Sequence, residues 1–132
     1  MYKDCYFRTS SNKFDLKDLA NRFVHLTNDA VQEHNEDYGK FESANKFSIN
    51  DFQRYLDQQM PHLSISFTRD IFPRIERLVT DSFRAVYRRV DPSKLANQFE
   101  IFGFDFMIDE QFRVYLIECN TNPCIETPCP LL

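Results

Sequence analysis

Residues 99–120 read FEIFGFDFMIDEQFRVYLIECN, two apolar runs broken by a short polar triplet, and no other stretch limits the possible folds as tightly. The runs 99–108 and 112–119 predict two antiparallel strands joined by a tight turn at Asp109, Glu110 and Gln111. Asp105 stands between Phe104 and Phe106 in the first run, where strands seldom carry a carboxylate and where a buried one needs compensation. Folding the hairpin about its turn sets Asp105 opposite, or one pair diagonal to, Leu116 and Glu118. Alternation puts Glu118 and Asn120 on one face, and the parity of the pairing shares that face with Asp105.

Two carboxylates and an amide oxygen on one patch are the oxygen-only donors that a hard cation such as Mg2+ takes, usually together with waters and substrate phosphates. A magnesium nucleotide site is one reading of the hairpin. Edge-strand acids facing water, or acids paired with nearby arginines, are the other. Glycine occurs only at Gly39 and Gly103, so the chain has no Gly-rich loop of the P-loop or Rossmann kind, and nucleotide chemistry here must use side chains and metal.

The rest of the chain supplies helices and a long polar segment. In residues 66–90 the apolar positions Ile71, Phe72, Ile75, Leu78, Val79, Phe83, Val86 and Tyr87 recur at spacings of three and four, which predicts a helix starting near Arg69 or Asp70 with Pro73 in its first turn. Its other face carries Arg74, Arg77, Arg84, Arg88 and Arg89, as a solvated helix face does. A shorter amphipathic helix is expected over 48–59, started by Ser48 or Asn50 and stopped by Pro61. Residues 2–9 suit a short strand with Arg8 at its end, and 28–48 read mainly as loop with one helical turn near 30–34. The last stretch, 121–132, is rich in proline and reads as an extended exit. Together these elements predict an α+β fold in which the hairpin belongs to a larger antiparallel sheet packed against the 66–90 helix.

Charge and cysteine usage narrow the class. At 132 residues and a formal charge of -4, the chain is no basic nucleic-acid module, and no apolar run approaches the roughly 18 to 20 residues of a membrane span. The four cysteines, Cys5, Cys119, Cys124 and Cys129, read as reduced thiols: the last three recur every five residues, which is not the spacing of a zinc knuckle.

Four blocks, in order, resemble the tubulin tyrosine ligase-like enzymes: FRTSS at 7–11, HLTN at 25–28, YGKFE with a following Asn at 38–45, and FGFDFMID with LIECNTNP over 102–123. The resemblance implies the C-terminal portion of an ATP-grasp core, cut at both ends, across residues 1–132. It implies ATP-dependent ligation of an amino acid (Tyr, Glu or Gly) to a carboxylate on tubulin, through an acyl phosphate that the incoming amine displaces. Asp105, Glu118 and Asn120 then look like the Mg2+ ligands that hold the ATP phosphates. Arg8 looks like the arginine that faces the acceptor carboxylate or the transferred phosphate. Thr27 and Asn28 look like residues that close over the phosphates from a neighbouring loop, with a helix cap and turn as their ordinary alternative.

The resemblance leans towards the tyrosine-adding branch in HLTN and YGKFE. It leaves out the earlier segments of the core that clasp the nucleotide, so these 132 residues are expected to be inactive by themselves. The expected partners are tubulin or microtubules and a free amino acid, without nucleic acid or membrane, in a cytoplasmic, cytoskeletal or ciliary setting. The competing reading is a non-catalytic module that keeps the surface of the fold and binds tubulin or another partner.

Overall fold

The computed structural model describes Met1 and residues 4–123. These divide into two compact units, residues 4–64 and a second that runs from Ile65 onward and includes Met1. The architecture is α+β, as expected.

In the first unit, strand β1 (Tyr6–Arg8) pairs antiparallel with β2 (Lys46–Ser48), matching Tyr6 to Ser48, Phe7 to Phe47 and Arg8 to Lys46. β1 is shorter than the 2–9 span expected, and residues 2 and 3 lie outside the described residues. Two single-turn helices follow it, α1 (Arg22–His25) and α2 (Asp29–Gln32), capped by the side chains of Asn21 and Asn28. The polar stretch 28–48 therefore holds the expected helical turn, and also a strand that alternation does not reveal. β2 has three residues, and it follows Ala44 and Asn45, both at φ 51°, so no period can build up across it.

α3 (Ile49–Gln59) begins at Ser48, whose hydroxyl accepts from the Asp51 N–H at 3.1 Å and donates to the Asp51 carboxylate at 2.6 Å. This reciprocal cap satisfies an end that the helix itself cannot. Phe52 of α3 stacks on Phe7 with ring centroids 4.1 Å apart, and Leu56 is buried.

Amides knit the interior of this unit. Gln32, fully buried, accepts from the Ser11 N–H at 2.8 Å and donates to the carbonyls of Phe23 and Leu26. Asn45, also buried, accepts from the Gly39 N–H and donates to the Ser11 hydroxyl and the Thr9 carbonyl. Each ties loops whose backbone groups have no ladder partner, which is how irregular chain can be buried.

In the second unit a wide π turn, Phe67–Ile71, leads into α4 (Phe72–Val90). The regular helix thus starts slightly later than 69–70, with a looser turn ahead of it. Pro73 has no N–H to offer a carbonyl one turn back, and a wide turn accommodates that missing bond.

β3 (Gly103–Ile108) and β4 (Val114–Asn120) form the expected antiparallel hairpin. Residues 99–102 stay out of this ladder, because β4 ends at Asn120, opposite Gly103. The turn is also wider than a tight triplet. Asp109 accepts from the N–H groups of Gln111 and Arg113, and Phe112 adopts φ 58°. Phe83 of α4 meets the rings of Phe102 and Phe104 at 5.1 and 5.7 Å, so the hairpin packs on the helix as predicted.

The larger sheet is not found: among the described residues the strands form two separate two-stranded sheets. The 121–132 exit lies outside the described residues from residue 124 onward, as do Cys124 and Cys129, while Cys5 and Cys119 are free and exposed. No helix among the described residues is long and apolar enough to cross a membrane.

Candidate functional site

The β3–β4 ladder carries one irregularity, and the candidate site depends on it. Ile108 faces Val114, Met107 faces Tyr115 and Phe106 faces Leu116, but Asp105 faces Glu118, because the register shifts by one residue between Asp105 and Phe106. In a flush ladder Asp105 would face Ile117, and Glu118 would face Phe104 on the opposite side of the hairpin. The bulge at Ile117 re-aims Glu118 onto the Asp105 face.

Asn120 completes the group. Its Nδ2 donates to Asp105 Oδ2 at 3.3 Å and to Glu118 Oε1 at 3.1 Å, so the three side chains expected to share a patch do share one. Glu118 makes no ion pair among the described residues, which removes the arginine-paired alternative for that carboxylate. Two carboxylates and an amide make a partial oxygen set; no group of three His, Cys, Asp or Glu side chains able to hold a metal occurs among the described residues. Turning the Asn120 amide about its last torsion would present Oδ1 where Nδ2 now lies, giving a donor set of oxygens alone. Such a set fits Mg2+, which takes few carboxylates and fills its remaining positions with water and phosphate.

Asp109, in the neighbouring turn, is not part of this group. Burial alone would raise its pKa, but bonds from the Arg113 N–H, the Arg113 guanidinium and the Tyr115 hydroxyl outweigh that and hold it below the usual carboxylate range. Its work is to close the turn.

Arg8, Thr27 and Asn28 all belong to the first unit. Arg8 is half-buried at the end of β1, beside Lys46 in the ladder. Asn28 spends its Oδ1 on the Ala30 N–H at 2.9 Å, the capping use that its residue type allows, while its backbone carbonyl starts α2. Thr27 is half-buried just before it.

Sequence reasoning missed the anchor beneath this loop. Asp29, directly after Asn28, pairs with the almost completely buried ammonium of Lys46, and the Asp29 bond raises the Lys46 pKa. The second Asp29 oxygen is buried without a hydrogen-bond partner. Tyr38 is also shifted upward, first by burial and then by the charge of Asp29. No sequence signal marks the pair, since Lys46 follows two left-handed residues and lies far along the chain from Asp29. An open cleft of about 410 Å³ in this unit, lined by Phe41, Glu42, Phe47, Arg54 and Tyr55 among others, contains none of the candidate residues.

Comparison with known proteins matches the family model described as the tubulin-tyrosine ligase family over residues 1–132. Tubulin glycylase 3B of Tetrahymena thermophila is 34% identical over 95% of this chain and 10% of its own length. Tubulin glycylase 3C of the same organism is 32% identical over 98% of this chain and 12% of its own length. Protein monoglycylase TTLL8 of Homo sapiens is 31% identical over 98% of this chain and 15% of its own length. The chain therefore spans only a small part of the relatives that it resembles.

Proposed function

This chain belongs to the tubulin-tyrosine ligase family, and from that premise we propose that it forms the metal- and phosphate-facing part of an ATP-dependent ligase that joins glycine to a carboxylate on tubulin. The observation that carries the proposal is the bulged register that draws Asp105, Glu118 and Asn120 into one oxygen-rich patch. The glycylase names of the relatives favour glycine over the tyrosine towards which the HLTN and YGKFE blocks lean.

Asp105, Glu118 and Asn120 would hold Mg2+, which when bound neutralises charge on the ATP phosphates. Arg8 offers a planar fork that matches a carboxylate or phosphoryl group through two parallel bonds, and we assign it to the acceptor side. Thr27 and Asn28 contribute a hydroxyl and a carboxamide from a loop stiffened by the Asp29–Lys46 pair. Positioning and charge neutralisation, rather than covalent participation, are what such residues supply. We read the chain as part of an ATP-grasp core.

The test uses a protein that carries this chain at the relatives' full length. Glu118→Gln removes one metal-binding charge and leaves the shape, so ATP-dependent incorporation of labelled glycine into tubulin should fall about a hundredfold or more. Unchanged turnover would sink the assignment. Incorporation of tyrosine or glutamate in place of glycine would keep the ligase and correct the amino acid.

A further inference from the structure

Lys46 is the least expected side chain of the first unit. Lysine is almost never buried unless it is paired, and an apolar pair of similar volume is often as stable as a buried ion pair. The Lys46 side chain is nevertheless only 5% exposed, and its ammonium is held by Asp29 Oδ2. The Asp29 bond outweighs burial and raises the Lys46 pKa, so the group remains a cation. Packing alone gives no reason for a charge at this place.

Its position in the sheet supplies one. Arg8 faces Lys46 across the β1–β2 ladder, and directly opposed residues put their side chains on the same face with Cβ atoms about 5 Å apart. Tyr6 shares that face, and the Lys46 ammonium lies 5.9 Å from its ring centroid. Phe7 and Phe47 lie on the other face, where they stack on Phe52 and Tyr55. Asp29 reaches the Arg8 face from α2, one residue after Asn28. Lys46 therefore stands where the strand that carries Arg8 meets the loop that carries Thr27 and Asn28.

The carboxylate at this junction has acceptor capacity to spare. Asp29 gives Oδ2 to Lys46, while its Oδ1 is buried without a hydrogen-bond partner. A guanidinium bonds both oxygens of a carboxylate through its fork, which an ammonium does not. Arg8 starts from the strand position opposite Lys46 on a side chain of similar length, so a carboxylate within the reach of one is within the reach of the other. We infer that Lys46 is a positioning residue: by occupying Asp29 and repelling a second cation, it keeps that carboxylate from competing with the acceptor anion for Arg8. The inference rests on the assignment of Arg8 to the acceptor side of a ligase.

Two readouts test it, one of them without catalysis. In the 132-residue chain the Arg8 Nε resonance should move in Lys46→Met, return in the double variant Lys46→Met with Asp29→Asn, and hold its place in Asp29→Asn alone. Capture of Arg8 needs the carboxylate present and the lysine absent, so the two substitutions cannot act additively. In a protein that carries this chain at the relatives' full length, Lys46→Met should raise the KM for tubulin about tenfold, as loss of one charge-assisted bond does, with kcat within about twofold. The double variant should restore that KM. Partial unfolding would do the reverse, lowering kcat through the amount of active enzyme and leaving KM in place. Additive resonance shifts, or an unchanged KM in Lys46→Met, would overturn the inference. Absence of ligation by the natural full-length protein would instead sink the ligase reading, and the resonance cycle would still decide whether Lys46 holds Asp29 from Arg8.

Discussion

Gly103 shows how closely the hairpin is set at the level of single atoms. A Cβ at this position would lie 2.9 Å from Cβ of Pro123, nearer than such atoms approach without displacement. Gly103→Ala should therefore lower the unfolding free energy by about 1–3 kcal/mol, seen as a lower Tm in a calorimetric scan. It should also weaken the Asp105–Asn120 grouping, because Gly103 pairs directly with Asn120. The residue types of Asp105, Glu118 and Asn120 were legible as a donor set, and alternation alone set Glu118 and Asn120 on one face, but their partnership with Asp105 needs the bulge. The bulge was not legible, since parity arguments assume a flush ladder and the shift at Ile117 leaves no mark in composition. The Lys46–Asp29 pair was illegible for a different reason: it joins the first residue of α2 to the first residue of β2, two elements too short and too far apart in the chain for any period to relate them. Lys46→Met should cost about 1–3 kcal/mol by stranding the Asp29 carboxylate. The double variant Lys46→Met with Asp29→Asn should recover part of that loss, which chemical denaturation can measure.

Elements were more legible than their ends. Ser48 and Pro61 bracket α3 as their chemistry dictates, and the three-four spacing of apolar residues foretold α4. What sequence hid was the π turn ahead of Pro73 and the three-residue strand β2, both too short to show a period. Capping gives this scale its test. Ser48→Ala removes both halves of the reciprocal cap and should cost about 1 kcal/mol in thermal unfolding near neutral pH. The Ser48 hydroxyl is also the first cause of the lowered Asp51 pKa, so the stabilisation it brings is present while Asp51 is ionised and fades as pH falls through the depressed value. The gap between the natural chain and Ser48→Ala should accordingly shrink on acidification. Asp70 follows the same sign. Arg69 and the Ser66 N–H hold it at about 2, so its contribution is complete above the ordinary carboxylate range and lost between that range and about pH 2.

At the scale of the whole molecule, the number of donors limits what the chain can do unaided. Mg2+ demands an octahedral shell of six oxygens and gives up water reluctantly. Binding through one oxygen each, Asp105, Glu118 and Asn120 fill three of these positions, all from one hairpin of the second unit, whereas Arg8, Thr27 and Asn28 belong to the first. The curated relatives are many times longer, 10% to 15% of their length being matched, and in a full-length ligase phosphates and other segments would share the work. We therefore expect the 132-residue chain alone to bind Mn2+, a paramagnetic substitute for Mg2+, too weakly to saturate at micromolar metal. It should still show selective broadening of the Asp105, Glu118 and Asn120 resonances, abolished by Glu118→Gln. Mixed with tubulin, ATP and glycine it should incorporate nothing. Broadening centred on Asp109 or Glu110 would move the metal to the turn and remove the hairpin face from the proposed site. Incorporation by the 132 residues alone would mean that they enclose the nucleotide without the remainder of a ligase core.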